Sequence, residues 1–200
     1  MSGPLTGLKV LDISTIIAAP LAATLLADYG ADVWKIEMPG QGDGIRLFPP
    51  LKDGKPLWWK TANRNKKFAT LDLRKPEGVE LFERLLSGFD VLIENFRPGT
   101  LDRWGLSKEV LWSIQPRLVI LRATGFGQDG PYRNRPGFAR IFEAMGGLTY
   151  ITERQTGSRC IRDIRSATRS AGSLERWAYW LRCGSVRAIP TRQAKKSISR

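Results

Sequence analysis

Histidine is absent from the 200 residues of this chain, and cysteine occurs only twice. Without histidine the chain has no Ser-His-Asp triad, no Cys-His pair and none of the commonest zinc ligands. Cys160 and Cys183 both lie beyond residue 159, so we expect no disulfide framework and no metal site in the preceding part. Covalent catalysis would have to use a carboxylate, a hydroxyl, a thiol or a lysine.

Long apolar runs are also lacking. The longest, residues 16–27, is too short to span a bilayer. The first four residues carry no basic segment of the kind that opens a secretory signal. We therefore expect no membrane partner, and the scarcity of cysteine agrees with a reducing, cytoplasmic location.

Acidic residues are scarce in only one part of the chain. The formal net charge is +13, and residues 154–200 hold 12 Lys and Arg against Asp163 and Glu175, so ten of the 13 excess charges lie there. The preceding part is nearly balanced and long enough to bury a core. We divide the chain into a body, residues 1–152, and a basic tail, residues 153–200.

The body opens with the pattern of a βαβ unit. Leu8, Val10, Leu11 and Ile13 form a short apolar run that Lys9 and Asp12 interrupt, which is typical of a strand buried on both faces of a parallel sheet. A helix follows, with Pro20 in its first turn and Gly30 at its end. The second strand is predicted over Asp32–Glu37.

A dinucleotide site is the first hypothesis that this unit suggests, because Glu37 stands where an acid would bind a ribose. The glycines argue against it. Residues 14–20 read STIIAAP, and no G-x-G-x-x-G sequence lets a pyrophosphate approach the backbone.

Further strands and helices alternate along the body. Strands are predicted at residues 67–73, 91–93, 118–121 and 148–152, with helices between them. This alternation predicts an α/β fold, an open parallel sheet with helices on both faces, similar to a Rossmann fold.

Residues 38–60 are predicted to be a long loop that closes on Trp58 and Trp59. The tryptophan pair could stack on a flat ligand group, but packing or interface surface is the interpretation that we favour.

Four groups of motifs follow one another along the body. They are Pro4-Leu5-x-Gly7-Leu8-Lys9-Val10-Leu11-Asp12, Ala23 to Gly30 with Ala31-Asp32-Val33-x-Lys35-Ile36-Glu37, Asn65-Lys66-Lys67 with Leu71-Asp72-Leu73, and Val91 to Gly99 with Leu101-Asp102-Arg103-x-Gly105. Together these motifs resemble the family III CoA-transferases, which include formyl-CoA transferase and the carnitine and bile-acid CoA-transferases. The resemblance covers residues 4 to about 152, the amino-terminal part of such a protein.

The resemblance implies where coenzyme A would bind. It places CoA contacts after the first, third and fourth strands, and arginines that can bond phosphates bidentately suit a nucleotide with three phosphates. Met38 stands where some relatives have a further arginine. The predicted CoA-binding residues are Ala18, Leu71, Arg74, Asn95, Arg97 and Arg103.

The family's partners and substrates are implied in the same way. Its members move CoA between an acyl-CoA and a carboxylic acid, use no permanently bound cofactor, and form interlocked homodimers. They attack the thioester with an aspartate of a Gly-Asp pair that follows the strand predicted at residues 148–152. This chain has no such pair there, and Asp163 lacks the family's context, so no catalytic residue is assigned.

The composition of the basic tail suggests a shifted reading frame. With synonymous codons chosen freely and the frame moved one base earlier, residues 161–172 back-translate to His-Pro-Gly-Tyr-Pro-Ile-Gly-Asp-Ala-Val-Gly-Gly, which resembles the family. The missing aspartate would straddle the codons of Ala167 and Thr168. This reading predicts an inactive chain, with an incomplete fold.

Two other interpretations stay open. The chain could be a CoA-binding protein without chemistry, because the predicted nucleotide contacts are present and the nucleophile is not. Alternatively, the basic tail could bind nucleic acid or an anionic surface, with Trp177, Tyr179 and Trp180 stacking on bases. We favour the first over the second.

Overall fold

The structure is a computed structural model that describes residues 3–147. The first elements are β1 (Lys9–Asp12), α1 (Ala18–Asp28), β2 (Asp32–Glu37), a 3₁₀ helix (Gly44–Leu47), the strands β3 (Leu51–Lys52) and β4 (Lys55–Pro56), and α2 (Leu57–Ala62). They are followed by β5 (Lys67–Thr70), α3 (Pro76–Leu86), β6 (Val91–Glu94), α4 (Thr100–Arg103), α5 (Lys108–Ile114), β7 (Val119–Arg122) and α6 (Ala139–Met145).

Five of the strands form one parallel sheet in the order β5-β2-β1-β6-β7. Val10 of β1 pairs with Val33 of β2 on one side and with Val91 of β6 on the other. The strand order changes direction between β1 and β6, and this topological switch point is where open sheets of this kind bind ligands. The predicted α/β fold with a parallel sheet is confirmed.

The sheet buries apolar side chains on both faces, as the apolar runs of its strands predict. On one face Val10 packs in a cluster with Ala23 and other small residues of α1. On the opposite face Leu11 packs with Phe82 of α3 and Leu111 of α5. The predicted helices therefore cover both faces, and the polar residues that remain in the strands stand out against this core.

Helix α1 begins and ends near the predicted residues. Pro20 occupies its first turn, where a missing N–H costs nothing. Gly30 follows the helix at φ +97°, its N–H donates to Ala27 O, and the Ala31 N–H donates to Leu26 O. These two bonds make a Schellman motif, so Gly30 ends the helix as expected.

The prediction of one long loop over residues 38–60 is wrong. The segment contains a 3₁₀ helix, the β3–β4 hairpin and the start of α2. Asp53 and Gly54 between the strands both have positive φ, as a tight hairpin turn requires, and this Asp-Gly pair is the signal that was missed. Trp58 and Trp59 pack against buried Ile45, in agreement with the favoured packing interpretation.

Four strands differ slightly from their predicted ranges. β1 is shorter by one residue at each end, β5 ends at Thr70, β6 extends by one residue to Glu94, and β7 is shifted by one residue. The strand predicted at residues 148–152 and the whole basic tail, with Cys160, Asp163 and Cys183, lie outside the described residues. Between residues 3 and 147 no helix is long and apolar enough to cross a membrane.

Candidate functional site

The carboxyl edge of the sheet, where its parallel strands end, carries three buried acids. Asp12 ends β1, Glu37 ends β2 and Glu94 ends β6, and each residue is at most 7% exposed. Buried carboxylates require partners, and all three have them in the surrounding loops and strands. These acids organise the edge that the sequence predicts to bind ligand.

The first βα loop, residues 14–17, lies at the switch point and is held by side chains from β1 and from the end of β6. The Ser14 N–H donates to Asp12 Oδ1 over 3.0 Å. The Asn95 amide bonds Thr15 twice, because its Oδ1 accepts the Thr15 N–H (2.8 Å) and its Nδ2 donates to the Thr15 carbonyl (2.7 Å). The loop is thereby tied to both strands that flank the switch point.

A buried cluster of four charged residues adjoins this loop. Lys66 Nζ lies 2.8 Å from Asp12 Oδ2, and Lys35 Nζ lies 3.2 Å from Asp43 Oδ2 and 3.7 Å from Asp12 Oδ2. Burial raises the pKa of Asp12, but Lys35 and Lys66 outweigh it and hold that pKa below its usual value. Burial lowers the pKa of Lys66 to about 8, against the opposing effect of Asp12.

Besides Asp12, two of these charges bond the first βα loop directly. Lys35 Nζ donates to the Ser14 carbonyl oxygen, and Asp43 Oδ1 accepts the Ile16 N–H over 2.9 Å. Ile16 has a φ of +71°, a left-handed conformation that a β-branched residue rarely adopts. The charge cluster thus supports an unusual loop conformation at the predicted site.

Glu37 is fully engaged by neighbouring groups. Its Oε2 accepts hydrogen bonds from Arg46 Nε (2.7 Å) and the Asp43 N–H (3.1 Å), and its Oε1 accepts one from Trp59 Nε1 (3.0 Å). Burial would raise the pKa of Glu37, but the bonds from Arg46 and Trp59 lower it overall. A carboxylate so occupied does not offer a free oxygen to a ribose, which agrees with the argument against a dinucleotide.

Glu94 is paired across the sheet with Arg122 at the end of β7. Its Oε2 accepts the Phe96 N–H over 2.7 Å, and its Oε1 lies 3.4 Å from Arg122 Nε. Burial raises the pKa of Glu94 to about 7, because the hydrogen bond and the arginine do not fully replace the lost hydration.

The predicted CoA-binding residues all follow strands at the carboxyl edge. Ala18 is exposed at the start of α1, and Leu71 follows β5, where its N–H donates to the Glu37 carbonyl. Arg74 is exposed but bonded to Asp72 through Nε (2.8 Å) and Nη2 (2.9 Å), and this contact lowers the pKa of Asp72 to about 2. Arg74 would have to leave Asp72, at least in part, to bind a phosphate.

The remaining predicted contacts follow β6. Both polar atoms of the Asn95 amide bond Thr15, as described above, so the structure gives Asn95 a role within the loop framework. Arg97 is exposed, and Arg103 is exposed with Nη2 donating to Thr100 Oγ1 over 2.9 Å. The arginine side chains at this end of β6 are therefore open to solvent.

The sequence reasoning missed Lys35, Lys66 and Asp43 as parts of the site. A signal was present for Lys35, because a charged residue inside the apolar strand β2 must find partners once the strand is buried. Lys66 and Asp43 lie in connecting segments, where a charge is ordinary. Within residues 3–147 no group of three or more Cys, Asp or Glu could hold a metal ion.

Comparison with known proteins identifies the same family throughout. CoA-transferase family III matches residues 5–174. The succinyl-CoA–L-malate CoA-transferase beta subunit of Chloroflexus aurantiacus is 53% identical over 156 residues, which are 78% of this chain and 38% of that protein. The human succinyl-CoA:glutarate CoA-transferase is 37% identical over 155 residues, covering 77% of this chain and 35% of that protein.

Two solved structures are similar to this chain in both fold and sequence. A CAIB/BAIF family protein from Brucella suis has a TM-score of 0.78 at 35% identity, with 92% of this chain and 51% of that chain covered. A hypothetical protein from Mycobacterium tuberculosis has a TM-score of 0.75 at 34% identity, covering 84% and 48%. The chain thus spans between a third and two fifths of these curated relatives and about half of these solved chains. The family match over residues 5–174, the similar relatives and the parallel sheet with its carboxyl-edge loops all agree. The chain belongs to CoA-transferase family III.

Proposed function

We propose that this chain carries the CoA-binding region of an enzyme that moves CoA between an acyl-CoA and a free carboxylic acid. The observation that carries the proposal is the placement of the predicted contacts. In a chain of this family, the segments after β1, β5 and β6 all reach one edge of the sheet, and the segments after β5 and β6 carry three exposed arginines that the sequence predicts to contact CoA.

The arginines would hold the phosphates of CoA. Arg97 and Arg103 are exposed beyond β6, and Arg74 is exposed beyond β5. Guanidinium groups bind phosphate through two parallel hydrogen bonds. Ala18 would contribute close backbone approach at the start of α1, and Leu71 an apolar contact. Asn95 would act mainly by fixing Thr15.

The chemistry that we propose for the intact enzyme is covalent. A carboxylate oxygen of an aspartate attacks the thioester carbonyl, the C–S bond breaks, CoA leaves as the thiolate, and an acyl-aspartyl anhydride remains. The acceptor carboxylate and the thiolate complete the exchange in the following steps. The residues at the carboxyl edge would bind and orient CoA, and none of the described residues is assigned as the nucleophile.

We further propose that the basic tail is read in a shifted frame, and that the chain as written is inactive. The tail lacks the Gly-Asp pair, while its back-translation in the neighbouring frame contains one. The family match extends to residue 174, beyond the predicted boundary at residue 152, so the DNA sequence must locate the position at which the frame changes.

The relatives suggest the substrates and the partner. Those from Chloroflexus and human are named for succinyl-CoA as donor and for L-malate, D-citramalate or glutarate as acceptor. We therefore propose a dicarboxylic acyl donor and a dicarboxylic acceptor. Because the L-malate enzyme has alpha and beta subunits, the partner of this chain is either a second copy or a related subunit.

The second candidate function is a protein that binds CoA and catalyses no transfer. The predicted phosphate-binding arginines are present, whereas no nucleophile is assigned. This candidate predicts binding without transfer.

Calorimetric titration of the chain with CoA tests the proposed site. Arg103→Ala should weaken binding by about 10- to 100-fold, because a hydrogen bond to a charged group contributes about 1.5–3 kcal/mol. Arg84→Ala is the matched control. Arg84 is also exposed, but it lies in the last turn of α3, at the opposite edge of the sheet, and its loss should leave the dissociation constant unchanged. Equal weakening by both substitutions, or by neither, would reject the assignment.

A further inference from the structure

Five successive backbone polar groups of the first βα loop are bonded to side chains. Asp12 accepts the Ser14 N–H, Lys35 donates to the Ser14 carbonyl, Asn95 bonds both groups of Thr15, and Asp43 accepts the N–H of the next residue. These side chains come from β1, from β2, from the loop after β2 and from the end of β6. The loop is therefore held from several directions at once.

The stability of the sheet alone does not explain why a lysine occupies buried position 35. Its side chain is fully buried in the central part of the sheet, and Asp43 is 2% exposed. An apolar residue of similar volume would usually serve stability at least as well as a buried ion pair. Burial also keeps the Lys35 ammonium from contacting a ligand phosphate, so direct binding does not account for it either.

The conformation of Ile16 indicates what the pair does. A left-handed backbone is costly for a β-branched residue and persists only where the surroundings fix it. Asp43 fixes it directly through the Ile16 N–H, and Lys35 fixes the Ser14 carbonyl, two residues earlier, while neutralising Asp43.

We propose that Lys35 and Asp43 are positioning residues that set the affinity for CoA by holding the first βα loop in its binding conformation before the nucleotide arrives. The inference rests on the proposed function, because it needs CoA to contact the start of α1 next to the loop. A loop that is ordered in advance loses less conformational entropy on binding, and the saved entropy appears as affinity.

The test is the double variant Lys35→Met/Asp43→Asn in the full chain. It removes one buried charge of each sign and leaves the Lys66–Asp12 pair, at 2.8 Å, intact. The amide introduced by Asp43→Asn would keep an oxygen that accepts the Ile16 N–H. The double variant therefore removes mainly the contacts of the Lys35 ammonium. The control is Lys67→Met/Asp32→Asn, which removes an exposed lysine–aspartate pair, also at 2.8 Å, between β5 and β2.

Calorimetry with CoA and amide hydrogen exchange at Thr15 and Ile16 are the two measurements. The double variant should bind CoA about tenfold more weakly, a loss typical of ordering a short backbone segment on binding. Its loop amides should exchange faster. The control should match the wild type in both measurements. A merely structural role would lower the midpoint of thermal unfolding and leave the loop exchange and the dissociation constant unchanged.

The outcomes separate the two proposals. If the folded wild type binds no CoA, the proposed function fails and this inference fails with it. If the wild type binds and the double variant binds equally well, only the positioning role is rejected. Should circular dichroism show that the double variant is unfolded, Asp43→Ala alone replaces it, since it removes the acceptor of the Ile16 N–H and keeps the bond from Lys35 to the Ser14 carbonyl. Wild-type affinity and wild-type loop exchange in that variant would overturn the inference.

Discussion

Glu94 is a buried carboxylate whose protonation depends on pH within the physiological range. Its pKa is raised by burial to about 7 from a usual value of 4.5. Below pH 4.5 the folded and unfolded states both hold the proton. Between pH 4.5 and 7 only the folded state holds it, and above pH 7 both states are ionised. Glu94 therefore costs folding free energy increasingly as the pH rises through this window.

Substituting Glu94 with Gln should remove this dependence. The unfolding free energy of Glu94→Gln minus that of the wild type should increase from pH 4.5 to 7.5 by about 2–3 kcal/mol, since one pKa unit corresponds to about 1.4 kcal/mol. Urea unfolding of both proteins at several pH values measures this difference. The contributions of the other titrating groups cancel in it. A difference that stays constant with pH would show that Glu94 is ionised normally in the folded state.

Residue types at the site were predictable, but several of their contacts were not. Arg74, Arg97 and Arg103 follow predicted strands, and their chemistry suits phosphate. Nothing local in the sequence joins Thr15 to Asn95, because 80 residues separate them, and only the parallel pairing of β1 with β6 brings them together.

At the scale of elements, the β5–α3 junction depends on one close approach. Gly78 lies in the first turn of α3, and a Cβ there would stand 2.0 Å from the Asp72 carbonyl oxygen. Backbone atoms cannot move aside as a flexible side chain can, so the helix could start where it does only with glycine at this position. The turn that it closes carries Leu71 and Arg74, two of the predicted CoA contacts.

Gly78→Ala should therefore destabilise the chain by about 2–4 kcal/mol, the range of strongly overpacked substitutions. Gly88→Ala is the matched control, because its Cβ would meet only the Leu85 carbonyl, at 3.6 Å. That substitution should change stability by less than about 1 kcal/mol. Chemical denaturation of both variants measures the contrast, and similar unfolding free energies would contradict the packing argument.

The elements that could be predicted are those with strong local signals. β2 was predicted to the residue, since an apolar strand between Gly30 and a loop has well-marked ends, and α1 was bounded by Pro20 and Gly30. The β3–β4 hairpin was missed because its strands have only two residues each and no apolar alternation. Its Asp53-Gly54 turn was the remaining signal.

At the scale of the whole molecule, the body and the basic tail have different compositions. The body is nearly neutral and folds into the family's sheet, while residues 154–200 hold ten of the 13 excess positive charges. A genuine basic arm would predict salt-dependent binding of nucleic acid that disappears when residues 154–200 are deleted.

The frameshift proposal predicts activity as well as sequence. Effective attack on a thioester needs the reacting atoms held about 3–3.5 Å apart in correct alignment, and neither Asp163 nor Cys160 has the family's context for that role. We expect the 200-residue chain to show no transfer from succinyl-CoA to a panel of dicarboxylic acids. The gene with its frame restored should show transfer, and replacing the restored Gly-Asp aspartate with Asn should abolish it.

Transfer by the 200-residue chain would refute the predicted inactivity, whereas an inactive restored enzyme would refute the proposed function. Stop codons in the neighbouring frame from residue 153 onward would remove the frameshift explanation altogether.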